Sequence, residues 1–443
     1  MSVKKDKNAK KNTIQEAPKL RKNFFQLMLL TVSGAAIFTL PYFRLSYYDV
    51  YAEMFGLTHV QMGVLGSAYG LLGLFSYMLG GALADMVSAR KLVTFSLIFT
   101  GLGGVVHLFT ESFTVLVGIY AIWGITSLLT FWPALIKAIR MLANPEEQGR
   151  AFGIFEGVRG IVNAILFPGV LAMFTFVASR AGEFAGIRGI IIFYSSLVIV
   201  NGILIYFTVP DTTKDADREK FSPKILLEVI KMPQVWLACF ILFMSYTYIM
   251  SFWYFNPYTS EVLGGSIAIA AIVTIIPQYC RPFGSIGGAW LGVRVGNPMV
   301  RLITLSVLGI MTVVILFIPT VPNSIPIFIG VATVIYLMMY ANYGLVFPML
   351  EEGRVPIHAT GIAIGLISTL GYAPEVLVPV IAGTILDRNP GAAGYHQYFM
   401  IMAVTCFLAV AGVLIWMKLY GNKNVPEAVV EEEGAEEKVN SLE

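Results

Sequence analysis

Residues 396–417 read HQYFMIMAVTCFLAVAGVLIWM and contain no Asp, Glu, Lys or Arg. A helix needs about 20 apolar residues to cross the hydrocarbon core of a bilayer, and this run is long enough. The strands of membrane barrels are about half as long, and an unpaired strand would leave its backbone polar groups unsatisfied in lipid. The run therefore predicts a transmembrane helix.

Eleven further apolar runs of similar length precede it. They cover residues 24–43, 60–84, 92–109, 113–136, 151–177, 187–209, 235–255, 265–291, 301–319, 325–349 and 359–386. The chain of 443 residues is 57% hydrophobic and 13% charged, with a mean hydropathy of +0.74, whereas soluble domains average about 45–50% apolar and about 25% charged residues. We predict an all-α integral membrane protein with twelve transmembrane helices, which excludes soluble enzymes, nucleic-acid binders and secreted scaffolds.

The longest polar interruption, residues 210–234, divides the twelve runs into two sets of six. Equal halves joined by a charged loop are a common transporter design. We expect two pseudo-symmetric six-helix bundles with a linker and two tails. The predicted segments are a basic tail at 1–23, an N-terminal bundle at 24–209, a linker at 210–234, a C-terminal bundle at 235–417 and an acidic tail at 418–443.

The distribution of Lys and Arg predicts the orientation. Eight of these residues fall in the first 22 positions, and most others lie in loops on the same side of the predicted membrane. The opposite loops hold only Arg180, Arg188 and Arg388. Because positive loops stay inside, we expect both termini in the cytosol and a multi-pass protein of the cytoplasmic membrane. The basic tail has no signal-peptide pattern, and we interpret it as a retained cytosolic segment.

Three arginines fall at membrane depth, namely Arg44, Arg159 and Arg281. Ionisable side chains there cost about 2.5–3.5 kcal/mol each on insertion scales and mark function by default. A guanidinium fork suits planar oxyanions. Arg44 and Arg281 have no carboxylate three or four residues away, which favours ligand contact. The alternative is structural pairing with Glu375, Asp49 or Glu53.

Two glutamates accompany these cations. Glu156 lies three residues before Arg159, so the two are neighbours on one helix; a self-neutralised structural pair and a functional pair both remain open. Glu375 lies between Pro374 and Pro379, in a helix that the prolines should bend. It is a candidate proton site or a counter-ion to Arg281.

Aromatic side chains at matching depths extend the candidate site. Most membrane tyrosines pack or anchor the interface, but some can donate a hydroxyl to a polar solute. The candidates for substrate contact are Tyr47, Tyr48, Trp132, Tyr279 and Tyr372. The three cysteines and four histidines show no metal-ligand spacing, and there is no phosphate-binding glycine loop. We therefore expect no cofactor, no metal and no ATP-driven transport.

Glycines recur at helical spacing in two runs: Gly63, Gly66, Gly70 and Gly73, and Gly149, Gly153, Gly157 and Gly160. Small-residue rows let membrane helices approach closely. Static packing and a sliding contact between moving helices are both consistent with such rows.

The loop GGALADMVSARK, residues 80–91, resembles the loop signature of the major facilitator superfamily. The resemblance implies that Asp85 latches the inner side, at a neighbouring helix N-terminus or on Arg90. The sequence departs from the signature at Met86 and Ser88, which implies a weaker latch.

Two further stretches, FRLSYYDVYAEMFGLTHVQMGVLGSAYG (43–70) and FWPALIKAIRMLANPEEQGRAFGIFEGVRG (131–160), resemble the organophosphate:phosphate antiporter group, typified by the glycerol-3-phosphate transporter. The resemblance implies that Arg44 grips the substrate phosphate and that Arg159 replaces a histidine of the site. The group's second arginine, in the seventh helix, is missing from residues 235–255, and Arg281 is the nearest basic residue in the second half.

These observations predict a secondary transporter that moves a small organic anion by alternating access, driven by a proton or anion gradient. Candidate substrates are sugar phosphates, sugar acids, carboxylates and sulfonates, and the predicted protein is a monomer, not an enzyme, and binds no nucleic acid. Proton-coupled drug efflux is one alternative. A membrane sensor that binds sugar phosphates without transporting them is the other.

Overall fold

The computed structural model describes residues 20–74, 76, 83, 86–144, 147–211, 223–343, 345 and 349–421. Within these ranges all regular secondary structure is helical. Ten helices are long and apolar enough to cross a membrane, and a pair bent by 42° near the N-terminus brings the number to eleven. This confirms the predicted all-α membrane fold.

The first half of the chain begins with the bent pair. Its helices are α1 (Phe24–Ala36), α2 (Thr39–Ser46), α3 (Tyr48–Phe55), α4 (His59–Leu74), α5 (Ala89–Leu108), α6 (Phe113–Gly124), α7 (Trp132–Met141), α8 (Gln148–Ala181) and α9 (Glu183–Thr208). The segment Ile125–Phe131 joins α6 to α7 in π-helical geometry. Helix α4 occupies the predicted second apolar run, and most of the remainder of that run lies outside the described residues.

The second half repeats this pattern. Its helices are α10 (Pro223–Ile230), α11 (Pro233–Ser251), α12 (Ile267–Val295), α13 (Asn297–Ile315), α14 (Ile325–Asn342), α15 (Met349–Glu352), α16 (Ile357–Gly371), α17 (Pro374–Arg388) and α18 (Ala392–Tyr420). Short helical turns extend α11 to Val262. With α4, the spans agree with the twelve predicted runs.

Each half has its own packing. In the first half α5 packs on α9, α4 on α6 and α8 on α9, whereas in the second α12 packs on α14 and α13 on α18. Across the halves, the main contacts are α4 on α17 and α8 on α12. The halves therefore meet along two pairs of helices, with space between them.

The molecule has two opposite faces along the membrane normal. We call the end that carries the Lys- and Arg-rich loops the basic face, and the end that carries Glu111, Gly182, Asn323 and Asn389 the far face. Successive spans alternate between these faces, so α4 begins at the far face and α17 ends there.

The glycine row of α4 packs tightly on α17. A Cβ atom built on Gly63 would lie 2.3 Å from the carbonyl oxygen of Pro379, and one on Gly70 would lie 3.0 Å from Glu375. The glycines thus let two backbones approach more closely than any larger residue would allow.

The glycine row of α8 behaves differently. Cβ atoms built on Gly149, Gly153, Gly157 and Gly160 would meet nothing within 4 Å. The row starts at the basic face and runs towards Glu156 and Arg159. Nothing among the described residues packs on it in this structure.

Candidate functional site

A cavity of about 640 Å³ lies between the two halves. The first half contributes residues of α1, α2, α4, α7 and α8 to its wall, and the second half contributes residues of α11, α12, α14 and α17. Its charged lining residues are Glu156, Arg159, Arg281 and Glu375. The volume falls in the range of about 300–1,000 Å³ that is usual for small-molecule sites.

Arg159 lies on α8 and pairs with Glu156, as the spacing of three residues predicts. Its Nη2 atom is 2.7 Å from Oε2 of Glu156. Its Cζ atom lies 5.3 Å from the ring centres of both Trp132 and Phe155. The Glu156 side chain is 52% exposed and that of Arg159 12%, so the cation is held against aromatic rings while its partner faces open space.

Arg281 enters the cavity from the opposite half. It lies on α12 between Pro277 and Pro282, and its Cζ atom is 5.9 Å from the ring centre of Tyr340. In the part of the chain that the structure describes, Arg281 forms no ion pair with a carboxylate. Arg159 and Arg281 are close enough for their charges to repel. Two guanidinium groups from different halves therefore face the same space.

Glu375 connects the two halves. It lies in the first turn of α17 and is 8% exposed. The hydroxyl of Tyr42 on α2 donates a hydrogen bond of 2.6 Å to its Oε1 atom. Tyr42 also stacks on Trp253 of the second half, with ring centres 5.7 Å apart.

Arg44 is placed behind the wall of the large cavity. It is 4% exposed, and its Cζ atom lies 5.1 Å from the ring centre of Tyr120. With Glu375 it lines a separate cavity of about 30 Å³, which is large enough for a water molecule. This position favours an electrostatic role next to Glu375, and the predicted contact of Arg44 with a substrate stays a prediction.

The predicted aromatic residues separate into two groups. Tyr47, Trp132 and Tyr372 line the large cavity. Tyr48 instead hydrogen-bonds Nδ1 of His59 at 3.0 Å. Tyr279 donates to the carbonyl oxygen of Ala164 at 2.8 Å, which joins α12 to α8 beside the cavity.

Several lining residues were not among the predicted site residues. They include Phe38, Tyr42, Asn163, Trp253, Gln278 and Tyr340. Asn163 follows Arg159 by four residues and Gln278 precedes Arg281 by three, so helical periodicity from the two arginines could have found both.

The cavity is closed at the far face by contacts between the halves. The carboxylate of Asp387, near the end of α17, accepts hydrogen bonds of 2.9 Å from the backbone nitrogens of His59 and Val60. It thus caps the N-terminus of α4, which belongs to the other half. Asn256 donates a further bond of 2.9 Å to the carbonyl oxygen of Ser46. This arrangement, together with the uncovered glycine row of α8 on the other side, describes a molecule closed at the far face.

The predicted gating loop is described in part. Asp85 lies outside the described residues. Nη2 of Arg90 is 2.7 Å from Oδ2 of Asp211, at the start of the linker, and the Ser88 hydroxyl donates to the same carboxylate. These two donors, the Ser88 hydroxyl first, hold the pKa of Asp211 below its usual range. Arg90 therefore joins the end of α9 to the start of α5.

No group of three or more His, Cys, Asp or Glu side chains in the described ranges could hold a metal ion. Apolar helices in two halves around a central cavity that contains charged residues are typical of a membrane transporter rather than an enzyme. The chain belongs to the Major Facilitator Superfamily, whose family profile matches residues 24–379.

Comparison with individual proteins agrees with this family. The inner membrane proteins YihN and YqcE of Escherichia coli K12 are 30% and 27% identical to the chain, each over 91% of it and 97% of their own length. A crystal structure of a bacterial homologue of the human lysosomal transporter Spinster, in an inward-facing and unoccupied conformation, superimposes with a TM-score of 0.68. It is 17% identical and covers 90% of this chain and 99% of its own. The structural likeness shows the fold alone.

Proposed function

We propose that this protein is a secondary active transporter that moves a small organic anion across the cytoplasmic membrane by alternating access. The observation that supports the proposal most is the pair Arg159 and Arg281, which come from different halves and line one cavity of about 640 Å³. Cations that line a cavity at membrane depth attract anionic solutes and disfavour cationic ones.

Substrate binding would couple the two halves. Arg159 and Arg281 belong to different halves and line one cavity, and an anion that contacts both guanidinium groups would be attracted to each of them. Because a ligand shifts an equilibrium only by its different affinity for the two states, an anion that contacts both arginines favours states in which the halves are close together. Binding energy is thereby available for the rocking motion.

A proton or anion gradient would supply the driving force. Glu156 and Glu375 are the candidate proton carriers, since both line the cavity. The hydrogen bond of 2.6 Å between Tyr42 and Glu375 crosses from one half to the other, so a proton on this carboxyl would change a contact between the halves.

The orientation follows from the positive-inside rule. We propose that the basic face is cytosolic, that both termini are cytosolic and that the structure described here is inward-facing. The two E. coli relatives carry the description of inner membrane proteins, which supports placement in the cytoplasmic membrane.

Uptake into proteoliposomes tests the proposal. Purified protein would be assayed with labelled glucose 6-phosphate, gluconate and 2-hydroxyethanesulfonate, with and without an imposed proton gradient. We expect saturable uptake of at least one anion and its loss in Arg159→Gln and Arg281→Gln. The matched control is Arg188→Gln, which removes an exposed arginine of α9 far from the cavity.

Two results would contradict the proposal. One is that no anion is moved by the wild-type protein under any gradient, even though some anions bind, which would favour a sensor. The other is that binding of every anion is unaltered in both cavity variants.

A further inference from the structure

We infer that the cavity selects organic anions with a single negative charge, such as sulfonates, sulfate esters and carboxylates, over phosphate monoesters with two. This inference rests on the proposed function and names its substrate class. It follows from counting the charges of the residues that line the two cavities.

The first pair of charges cancels inside the large cavity. Arg159 and Glu156 are 2.7 Å apart, and a hydrogen bond from a guanidinium to a carboxylate at this distance is charge-assisted. The two side chains therefore form an ion pair. Together the two side chains contribute no net charge to a bound solute.

A second cation and a second carboxylate lie behind the wall, and the described residues show no ion pair within 4 Å between them. Arg44 and Glu375 line the same small cavity of about 30 Å³, and both are more than nine-tenths buried. An isolated buried charge is costly, and a nearby anion lowers that cost. Among the residues lining this small cavity, Glu375 is the one carboxylate available to balance Arg44.

Arg281 remains as the fifth charge. It has no carboxylate ion pair among the described residues, and its nearest cation–π partner is Tyr340 at 5.9 Å. The two cavities therefore carry a net charge of +1. A monoanion brings this to zero, whereas a dianion leaves an excess negative charge among aromatic walls, where solvation is poor.

The remaining wall suits an organic body attached to that anionic group. Trp132, Trp253 and Tyr340 contribute aromatic side chains to the lining, and Asn163 and Gln278 contribute amides. Aromatic side chains beside a few polar groups are the usual lining of sites for small organic molecules. An inorganic anion would leave most of this surface without contact.

Pairs of esters that differ only in charge test the inference. Glucose 6-sulfate and glucose 6-phosphate have the same shape, but at pH 7.5 the sulfate carries one charge and the phosphate close to two, because its second pKa is about 6. Glycerol 3-sulfate and glycerol 3-phosphate form a smaller pair. Dissociation constants would be measured by isothermal titration calorimetry on the full-length protein in detergent.

We expect the sulfate ester to bind at least tenfold more tightly than the phosphate ester in each pair. Glu156→Gln raises the net charge of the two cavities to +2. It should reduce the ratio of sulfate-ester affinity to phosphate-ester affinity at least tenfold, or invert it. The Glu156 side chain is 52% exposed, so this variant should fold. Arg281→Gln lowers the count to zero and should remove the preference for glucose 6-sulfate over glucose.

Glu183→Gln is the matched control, because it removes one carboxylate from an exposed position at the far face. Its ratio of sulfate-ester affinity to phosphate-ester affinity should equal that of the wild type. Equal affinity for sulfate and phosphate esters, or an unchanged ratio in Glu156→Gln, would overturn the charge rule and leave anion transport standing. If no anion of either charge binds, the proposed function itself fails.

Discussion

Replacement of Gly63 by alanine should move the protein away from the arrangement closed at the far face. The new Cβ atom would lie 2.3 Å from the carbonyl oxygen of Pro379 and 2.6 Å from its carbonyl carbon. Both are backbone atoms of α17, so relief requires the two helices to separate. Overpacking of this kind costs about 1–3 kcal/mol.

That cost applies only while α4 and α17 are in contact. In a state open at the far face the two helices are apart, and the methyl group meets no backbone. The equilibrium should therefore shift towards the far-face-open state by about 5- to 150-fold, the factor that corresponds to about 1–3 kcal/mol.

Electron–electron double resonance between two spin labels measures the shift. Labels on Glu111→Cys and Asn323→Cys report the distance between exposed loops of the two halves at the far face. The native cysteines, Cys239, Cys280 and Cys406, are free and buried, and would be replaced by serine. We expect a longer distance to gain population in Gly63→Ala.

Gly118→Ala is the control, because a Cβ atom at Gly118 on α6 meets nothing within 4 Å. If Gly63→Ala and Gly118→Ala give the same distance distribution, the tight contact does not determine closure, and the reasoning is wrong.

Three further predictions concern other contacts. Asp387→Ala removes the cap on α4. Since such caps contribute about 0.5–2 kcal/mol, the same spin labels should show a smaller shift towards the longer distance; an unchanged distance distribution would show that this cap does not hold the far face closed. Arg159→Lys keeps the charge but loses the planar fork beside Trp132, so anion affinity measured by calorimetry should fall to between those of wild type and Arg159→Gln. The pKa of Asp211 is lower in the folded protein than in the unfolded chain. The ionised Asp211 carboxylate therefore stabilises the fold above about pH 4, the ordinary pKa of an aspartate. This stabilisation is lost as the pH falls through the pKa of Asp211 in the folded protein. Thermal unfolding between pH 7 and pH 3 should therefore be less acid-sensitive in Asp211→Asn, and equal sensitivity would contradict the role given to this carboxylate.

The fold was predictable from the sequence because the bilayer constrains each apolar run separately. Each run of apolar residues must form a helix whatever its neighbours do, so length and composition were enough to find the spans. The bend of 42° between α1 and α2 was not predicted, although Pro41 lacks the amide hydrogen that would bond to the carbonyl oxygen of Ile37, so the sequence carries a signal for it.

The site was predictable only in part. Arg159 and Arg281 were predicted from their depth, Arg159 also from the resemblance, because an ionisable group at membrane depth usually faces the bundle interior or a cavity. Arg44 and Tyr48 follow the bend after α1, and the direction in which their side chains point depends on how α2 and α3 turn. The rotation of each helix is set by tertiary contacts. Because nearly every face of these helices is apolar, the hydrophobic periodicity of the sequence does not show which face points towards the cavity.

The glycine row of α8, on which no described residue packs, affects which substitutions this chain tolerates. Within the described part of the chain, a methyl group at Gly153 or Gly157 would meet no atom within 4 Å, so such a substitution should leave the stability of this state unchanged. If the halves rock as proposed, the other half would pack against this row when the cavity opens at the far face. A substitution there would then slow turnover while leaving the resting protein intact, and a screen that reports only folded yield would miss it.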